Sequence, residues 1–240
     1  MSDDIQNLVL EEFSTKMALD FYEKKASAGL WIAEKHFIAK YFTKKGKILD
    51  VGCGTGRTTI PLVKMGYNVV GVDFAPKMIS LAKKIAKKKK LKISYEVGDA
   101  TKLQFKDKTF DCVFFSNNGW TQIPGREKRL QALQEMKRVC KSQGIVMFTA
   151  HPRVFSRQFN FFWMKQWLRF YILKPFGFHI EEIDYGDRFF TREGDGSEAF
   201  TRQYIHIPSK REVIKQIGKV GLTLREANGE FQISKDDIRD

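Results

Sequence analysis

Short apolar runs alternate with amphipathic stretches through most of this chain. Before residue 45, apolar positions recur at helical spacing, notably Phe13, Met17 and Phe21, then Trp31, Ile32, Phe37 and Ile38. That period predicts helices ahead of the main body. Lys47–Val51 is a compact apolar run that meets a glycine cluster, the pattern of a strand buried on both faces. Further strands are expected at 68–73, 92–97, 110–115 and 145–150. Helices are expected at 76–88, with Pro76 in the first turn, and at 126–140. Repeated βα units of this kind give a mainly parallel sheet with helices on both faces.

The rhythm breaks after Ala150. Residues 152–178 are rich in Phe and Trp, with Arg157, Lys165, Arg169 and Lys174 interspersed, and read as one or two helices. Residues 180–192 and 200–207 suit strands, and Glu193-Gly194-Asp195-Gly196-Ser197 between them predicts a β-hairpin. Ser209 is placed to cap a helix that Gly221 closes, and 222–227 reads as a sixth strand. The expected organisation is a single α/β domain: N-terminal helices over 1–45, a core over 46–151, an insertion with a hairpin over 152–208, and a helix and strand over 209–240. Residues 231–240 show no pattern for a final strand.

Composition adds little until the charge is counted. With 240 residues, 42% hydrophobic and 29% charged, the chain suits an ordered globular domain. It has no apolar run of membrane-spanning length, and its start, Met1-Ser2-Asp3-Asp4, lacks the signature of a signal peptide. Cys53, Cys112 and Cys140 are too widely spaced for a zinc site or a disulfide framework. No metal site is expected, and a reducing, cytoplasmic setting is. The formal net charge of +14 would attract nucleic acid or other anions. Seven of those cations crowd between Lys83 and Lys92, where a solvated helix face is the plainer explanation.

Most of the candidate chemistry sits in Asp50-Val51-Gly52-Cys53-Gly54-Thr55-Gly56-Arg57. Glycines at alternate positions after a strand let the chain turn sharply and admit a ligand where a Cβ would otherwise stand. A dinucleotide site wants G-x-G-x-x-G and a pyrophosphate on the following helix. Here the spacing is G-x-G-x-G, and Asp50 beside it would repel a pyrophosphate. S-adenosylmethionine carries no phosphate and presents an ammonium group, which an acid favours. Asp73, at the end of the second strand, is placed to accept hydrogen bonds from ribose hydroxyls.

The chain thus resembles the class I S-adenosylmethionine-dependent methyltransferases, of the type 11/25 kind, a Rossmann-like fold. The resemblance covers residues 45–151 strongly and 209–228 weakly. It rests on residues 48–57, on Val69-Val70-Gly71-Val72-Asp73-Phe74-Ala75-Pro76-Lys77-Met78, on Gly98-Asp99-Ala100, and on the stretch from Glu135 to Gly144. It implies a cofactor site built from Asp50, Gly52, Cys53, Gly54, Gly56, Asp73, Phe74, Met78, Asp99, Ala100, Ser116 and Asn117. Phe74 and Met78 would flank the adenine, Asp99 and Ala100 would meet it, and Ser116 would lie near the methionine end. Two departures are expected: a missing final strand, and the aromatic insertion between strands five and six.

Methyl transfer to a good nucleophile needs alignment in a dry pocket, and a general base only for poor ones. His151, directly after the fifth strand, is the candidate base, with His179 and His206 as further possibilities, and Tyr22 is a candidate for closing over the methionine end. The insertion reads three ways: a packed lid, a base-stacking and phosphate-holding element, or a membrane-surface segment. Its apolar positions fall on no single helical face, which counts against the membrane. A small-molecule acceptor is the leading expectation, RNA of tRNA type the alternative, and a non-catalytic cofactor-binding protein the third reading. The oligomeric state is left open.

Overall fold

In a computed structural model the chain is described over residues 2–154, 156–191 and 202–228. Three helices lead: α1 (Ser2–Glu12), α2 (Lys16–Lys25) and α3 (Ile32–Tyr41). The core then runs β1 (Lys47–Val51), α4 (Thr59–Lys64), β2 (Asn68–Asp73), α5 (Pro76–Lys88), β3 (Ser94–Val97), β4 (Phe110–Phe115), α6 (Arg126–Val139) and β5 (Cys140–Phe148). Its five strands pair in parallel in the order β3-β2-β1-β4-β5, with β1 at the centre.

Strand periodicity decides which helix meets which face. Leu49 and Val51 of β1, with Val113 and Phe115 of β4, pack against Leu130, Leu133 and Met136 of α6. Their neighbours Ile48, Cys112 and Phe114 turn the other way, onto Ile38 of α3, Phe42 just beyond it, and Leu62 of α4. Both faces of β1 are therefore buried, and that is why its sequence shows a run instead of an alternation.

Where sequence and structure differ, the cause is pairing. Strand β5 starts at Cys140, five residues before the expected 145, because α6 passes into it without a loop. Its ladder with β4 shifts register between Phe110 and Cys112. Beside that shift lies Gly144, where a Cβ would stand 2.5 Å from the Asp111 carbonyl oxygen. Strand β3 begins at Ser94, not 92. Residues 222–227 form no strand. Among the described residues no strand lies beyond β5 for them to pair with, so the aromatic insertion is not flanked by a sixth strand. Residues 193–197 and 231–240, expected as the hairpin turn and a strandless tail, lie outside the described residues.

The insertion holds α7 (Arg157–Leu168), extended by irregular turns to Phe176, and a separate two-stranded antiparallel sheet of β6 (Asp187–Thr191) and β7 (Arg202–His206). Helix α8 (Lys210–Lys219) follows, its first turn capped by Ser209, whose hydroxyl accepts from the Glu212 amide at 3.1 Å. A buried polar staple fixes the hairpin to the core. The fully buried His206 has Nδ1 2.7 Å from Asp187 and Nε2 3.1 Å from Glu212 of α8. The Tyr204 hydroxyl donates to Asp187, and Arg129 of α6 pairs with Asp184 at 2.7 Å. Burial would raise the Asp187 carboxyl, but the bond and charge of His206 hold it below the usual range.

Phe114, fully buried, meets Phe42 edge-on at 6.3 Å between ring centres. Phe114→Ala should lower stability by about 3–5 kcal/mol, read as a shift in urea midpoint at unchanged slope.

Candidate functional site

The carboxyl ends of β1, β2, β3 and β4 open into one cleft, of about 1140 Å³ when counted out to its mouth. In an open α/β sheet this is where ligands bind. Its floor is the turn after β1. Gly52, Gly54 and Gly56 all take positive φ, at 61°, 53° and 95°. A Cβ on Gly56 would strike the Tyr95 hydroxyl at 2.4 Å, so this glycine serves packing beneath the turn. A Cβ on Gly54 would meet nothing within 4 Å, and the residue lines the cleft: a side chain there would stand where a ligand lies.

Asp73 fastens that turn to β2. Its carboxylate accepts from the Gly54 amide at 2.8 Å and the Ala75 amide at 2.9 Å while lining the cleft. Burial pushes its carboxyl upward, against the pull of those two amides. Asp99, after β3, accepts from the Thr101 amide and hydroxyl on one oxygen and from Gln6 of α1, at 3.3 Å, on the other.

Of the expected cofactor residues, Gly52, Cys53, Gly54, Asp73, Phe74, Met78, Asp99, Ala100, Ser116 and Asn117 line this one cleft. Asp50, Gly56 and His151 do not. Asp50 is completely buried beneath the turn, where one carboxylate oxygen accepts from the hydroxyls of Thr58 at 2.6 Å and Thr59 at 2.5 Å. It anchors the start of α4, and no ammonium group can reach it from the cleft wall. His151 is exposed and off the cleft. His179 is exposed and His206 is bound in the hairpin staple, so no histidine stands among the described lining residues. Trp120, in the turn after β4, is fully buried and donates its ring N–H to the Arg129 carbonyl. The Cys53 thiol is buried and pushed well up by burial and by the neighbouring Asp73 and Asp50, which keeps it protonated and inert.

Sequence reasoning missed the cleft's outer wall and its buried charge. Gln6, Val9 and Leu10 of α1, with Phe13 just beyond it, line the outer side. Their i, i+3, i+4, i+7 spacing was a visible signal, one that says a face is covered without saying by what. Lys128 of α6 ties the wall down, donating to Asp3 and Gln6 at 2.7 Å each. Toward β4, Arg57 is buried and paired in both directions with Glu34 of α3, at 2.8 and 2.7 Å. It also donates to the Ser116 hydroxyl, which in turn donates to Glu34. The next residue, Asn117, is held at φ 51° on the cleft wall, a left-handed conformation that few side chains adopt.

Residues 48–144 match the methyltransferase domain family. The core has the fold of the class I methyltransferases. A solved S-adenosylmethionine-dependent methyltransferase from Methanosarcina mazei superposes with a TM-score of 0.62 at 24% identity, covering 80% of this chain and 84% of that one. In sequence, the chain is 46% identical over 70 residues to a ubiquinone biosynthesis O-methyltransferase of Pelagibacter ubique, 29% of each chain. It is 38% identical over 118 residues to a demethylmenaquinone methyltransferase of Lactobacillus johnsonii, 47% of each. The chain spans about half the length or less of the curated relatives it matches. Among the described residues, no helix is long and apolar enough to cross a membrane.

Two predictions follow from the buried charges of this domain. Burial lifts the Asp50 carboxyl from 3.8 to about 6. The folded protein therefore holds this proton more tightly than the unfolded chain, so the stabilisation is present below pH 4 and lost as pH rises through 6. Asp50→Asn should remove about 2–3 kcal/mol of that decline, seen by comparing urea titrations at pH 4 and 7. Glu34→Gln strands the Arg57 charge in the interior and should cost about 3–5 kcal/mol. The double variant Glu34→Met with Arg57→Met should recover much of that loss in thermal melts.

Proposed function

We propose that this chain is an S-adenosylmethionine-dependent methyltransferase acting on a small, largely apolar acceptor. The observation that carries this reading is the cleft, where the open face of Gly54 and the carboxylates of Asp73 and Asp99 come from three consecutive strand ends. Such a set suits a ligand with a ribose and an adenine and no phosphate. Asp73 would meet the ribose hydroxyls through the lone pairs its two amide bonds leave free. Asp99, Ala100, Phe74 and Met78 would hold the adenine. S-adenosylmethionine, when bound, supplies a methyl group already activated on a sulfonium.

The chain's own task is then placement and exclusion of water. Phe13, Phe115, Ile123 and Pro124 add an apolar side to a lining that also holds Lys25, Gln122 and Lys128, fitting an acceptor with a large apolar part. The absence of histidine among the described lining residues favours an acceptor that needs no strong general base. The two relatives named for quinone-type substrates support a small-molecule acceptor, and the three free buried cysteines fit a reducing, cytoplasmic setting.

Isothermal titration with S-adenosylhomocysteine tests the cofactor half of the reading. The wild type should bind, and Gly54→Val should lose about tenfold or more of its affinity, because the added side chain occupies ligand space. Absence of wild-type binding would remove the proposal. The acceptor half is tested by transfer of radiolabelled methyl into fractionated lysate, where label is expected in the small-molecule pool. Label in an RNase-sensitive pool would instead favour RNA, the reading that the net charge of +14 supports.

A further inference from the structure

Helix α7 is apolar on its outward side as well as its inward one. A surface helix normally buries its apolar stripe and exposes its charges. Here the inward positions are Phe162, Trp163, Gln166 and Arg169, and of these only Trp163 is fully buried. The outward positions are the apolar ones. Phe161 is 69% exposed, Met164 52%, and Trp167 and Leu168 46% each. The turns that follow continue the surface with Phe176 at 79% and Phe178 at 60%. The segment is apolar on both sides, and for that reason its periodicity pointed to no single face.

Charge identifies what this surface fits. Residues 151–178 contain Arg153, Arg157, Lys165, Arg169 and Lys174 and no aspartate or glutamate. The nearest acids are already engaged: Glu181 with Arg202, Glu182 with Arg169, Asp184 with Arg129, and Asp187 with His206. Arg157 and Lys165 are exposed among the aromatic rings, on a chain whose net charge is +14. A second copy would bring this basic surface against itself, with no acid to offset the repulsion. RNA would want flat rings beside cations, but Met164, Leu168, Ile172 and Leu173 put aliphatic groups between the rings. Aromatic and aliphatic side chains standing out of a basic, acid-free segment match the interface of an anionic bilayer.

We propose that the outward face of α7 and the turns after it dock this protein on the surface of an anionic lipid bilayer. The segment lies on the surface and does not span. Its inner side is held by Arg188 of β6 over Phe162, at 4.4 Å, and by Tyr185, whose ring packs on Trp163. Strand β7 of the same hairpin packs against α1, the outer wall of the cleft. The docking face is thus joined to the cleft through one hairpin. This inference stands without the methyl-transfer reading, since lipid binding needs no cofactor.

The test is flotation of the full chain with vesicles of phosphatidylcholine containing roughly 30% phosphatidylglycerol, against vesicles of phosphatidylcholine alone. The wild type should float with the anionic vesicles and largely stay behind with the neutral ones, and roughly 0.5 M salt should weaken the association. Phe161→Asp with Phe176→Asp should cut partitioning by about tenfold or more, and Lys165→Glu by a smaller factor. Both phenylalanines stand in solvent, so the variants keep the folded state, and S-adenosylhomocysteine affinity reports on the cleft separately. Equal flotation of wild type and double variant would overturn the proposal. So would a wild type that ignores anionic vesicles, one that sediments as a dimer lost in the double variant, or one that binds RNA through the same residues.

Discussion

One carboxylate, that of Glu34, holds helix α3 to the cleft end of the sheet. Its four lone-pair positions are all taken: by the Trp31 amide, by two N–H groups of Arg57, and by the Ser116 hydroxyl. Through those bonds α3, the glycine turn and the end of β4 become one unit. A buried ion pair is seldom a net source of stability, because both ions give up hydration. Its effect is registry. Any other seating of α3 would leave a charge buried without a partner, so only one arrangement of the helices over the sheet is tolerated.

That registry explains why the cleft has walls of such different kinds. The inner wall is the sheet itself, fixed by the parallel ladder and by Asp73, which clamps the glycine turn to β2. The outer wall is α1, whose polar ties to the core are side-chain bonds such as Gln6 to Asp99 and Lys128 to Asp3. The first is stiff because every strand in it is buried or paired, the second more compliant where its ties, such as that of Lys128 to Asp3, lie near solvent.

The sequence made the inner wall legible and left the outer wall largely unread. Strands β1, β2 and β4 carry continuous apolar runs that only a doubly covered sheet explains, and the glycine spacing marks a tight turn that admits a ligand at Gly54. Ten of the expected cofactor residues line one cleft for that reason. The pairing of Arg57 with Glu34 could not be read, because residues 23 apart on different elements leave no periodic trace. Asp50 misled because an acid beside a ligand loop reads alike whether it faces the ligand or, as here, the threonines below. His151 misled because following a strand fixes a residue's place along the chain but not the direction of its side chain. The outward face of helix α7 left no readable period because a hydrophobic pattern marks surfaces that avoid water, not surfaces that find their partner within the same chain.

The compliance of α1 bears on the timing of any ligand's stay. Among the described residues the cleft is walled on one side by a helix of 11 residues, one of whose ties ends on Asp3, a side chain 88% exposed. Exposed ion pairs of this sort contribute little and weaken with salt. Lifting of the first turns of this helix from Asp99 and Lys128 would open that side of the cleft, at a cost that salt lowers. A residence time set in this way depends on ionic strength even for a ligand that is itself uncharged, because the charges being screened belong to the door.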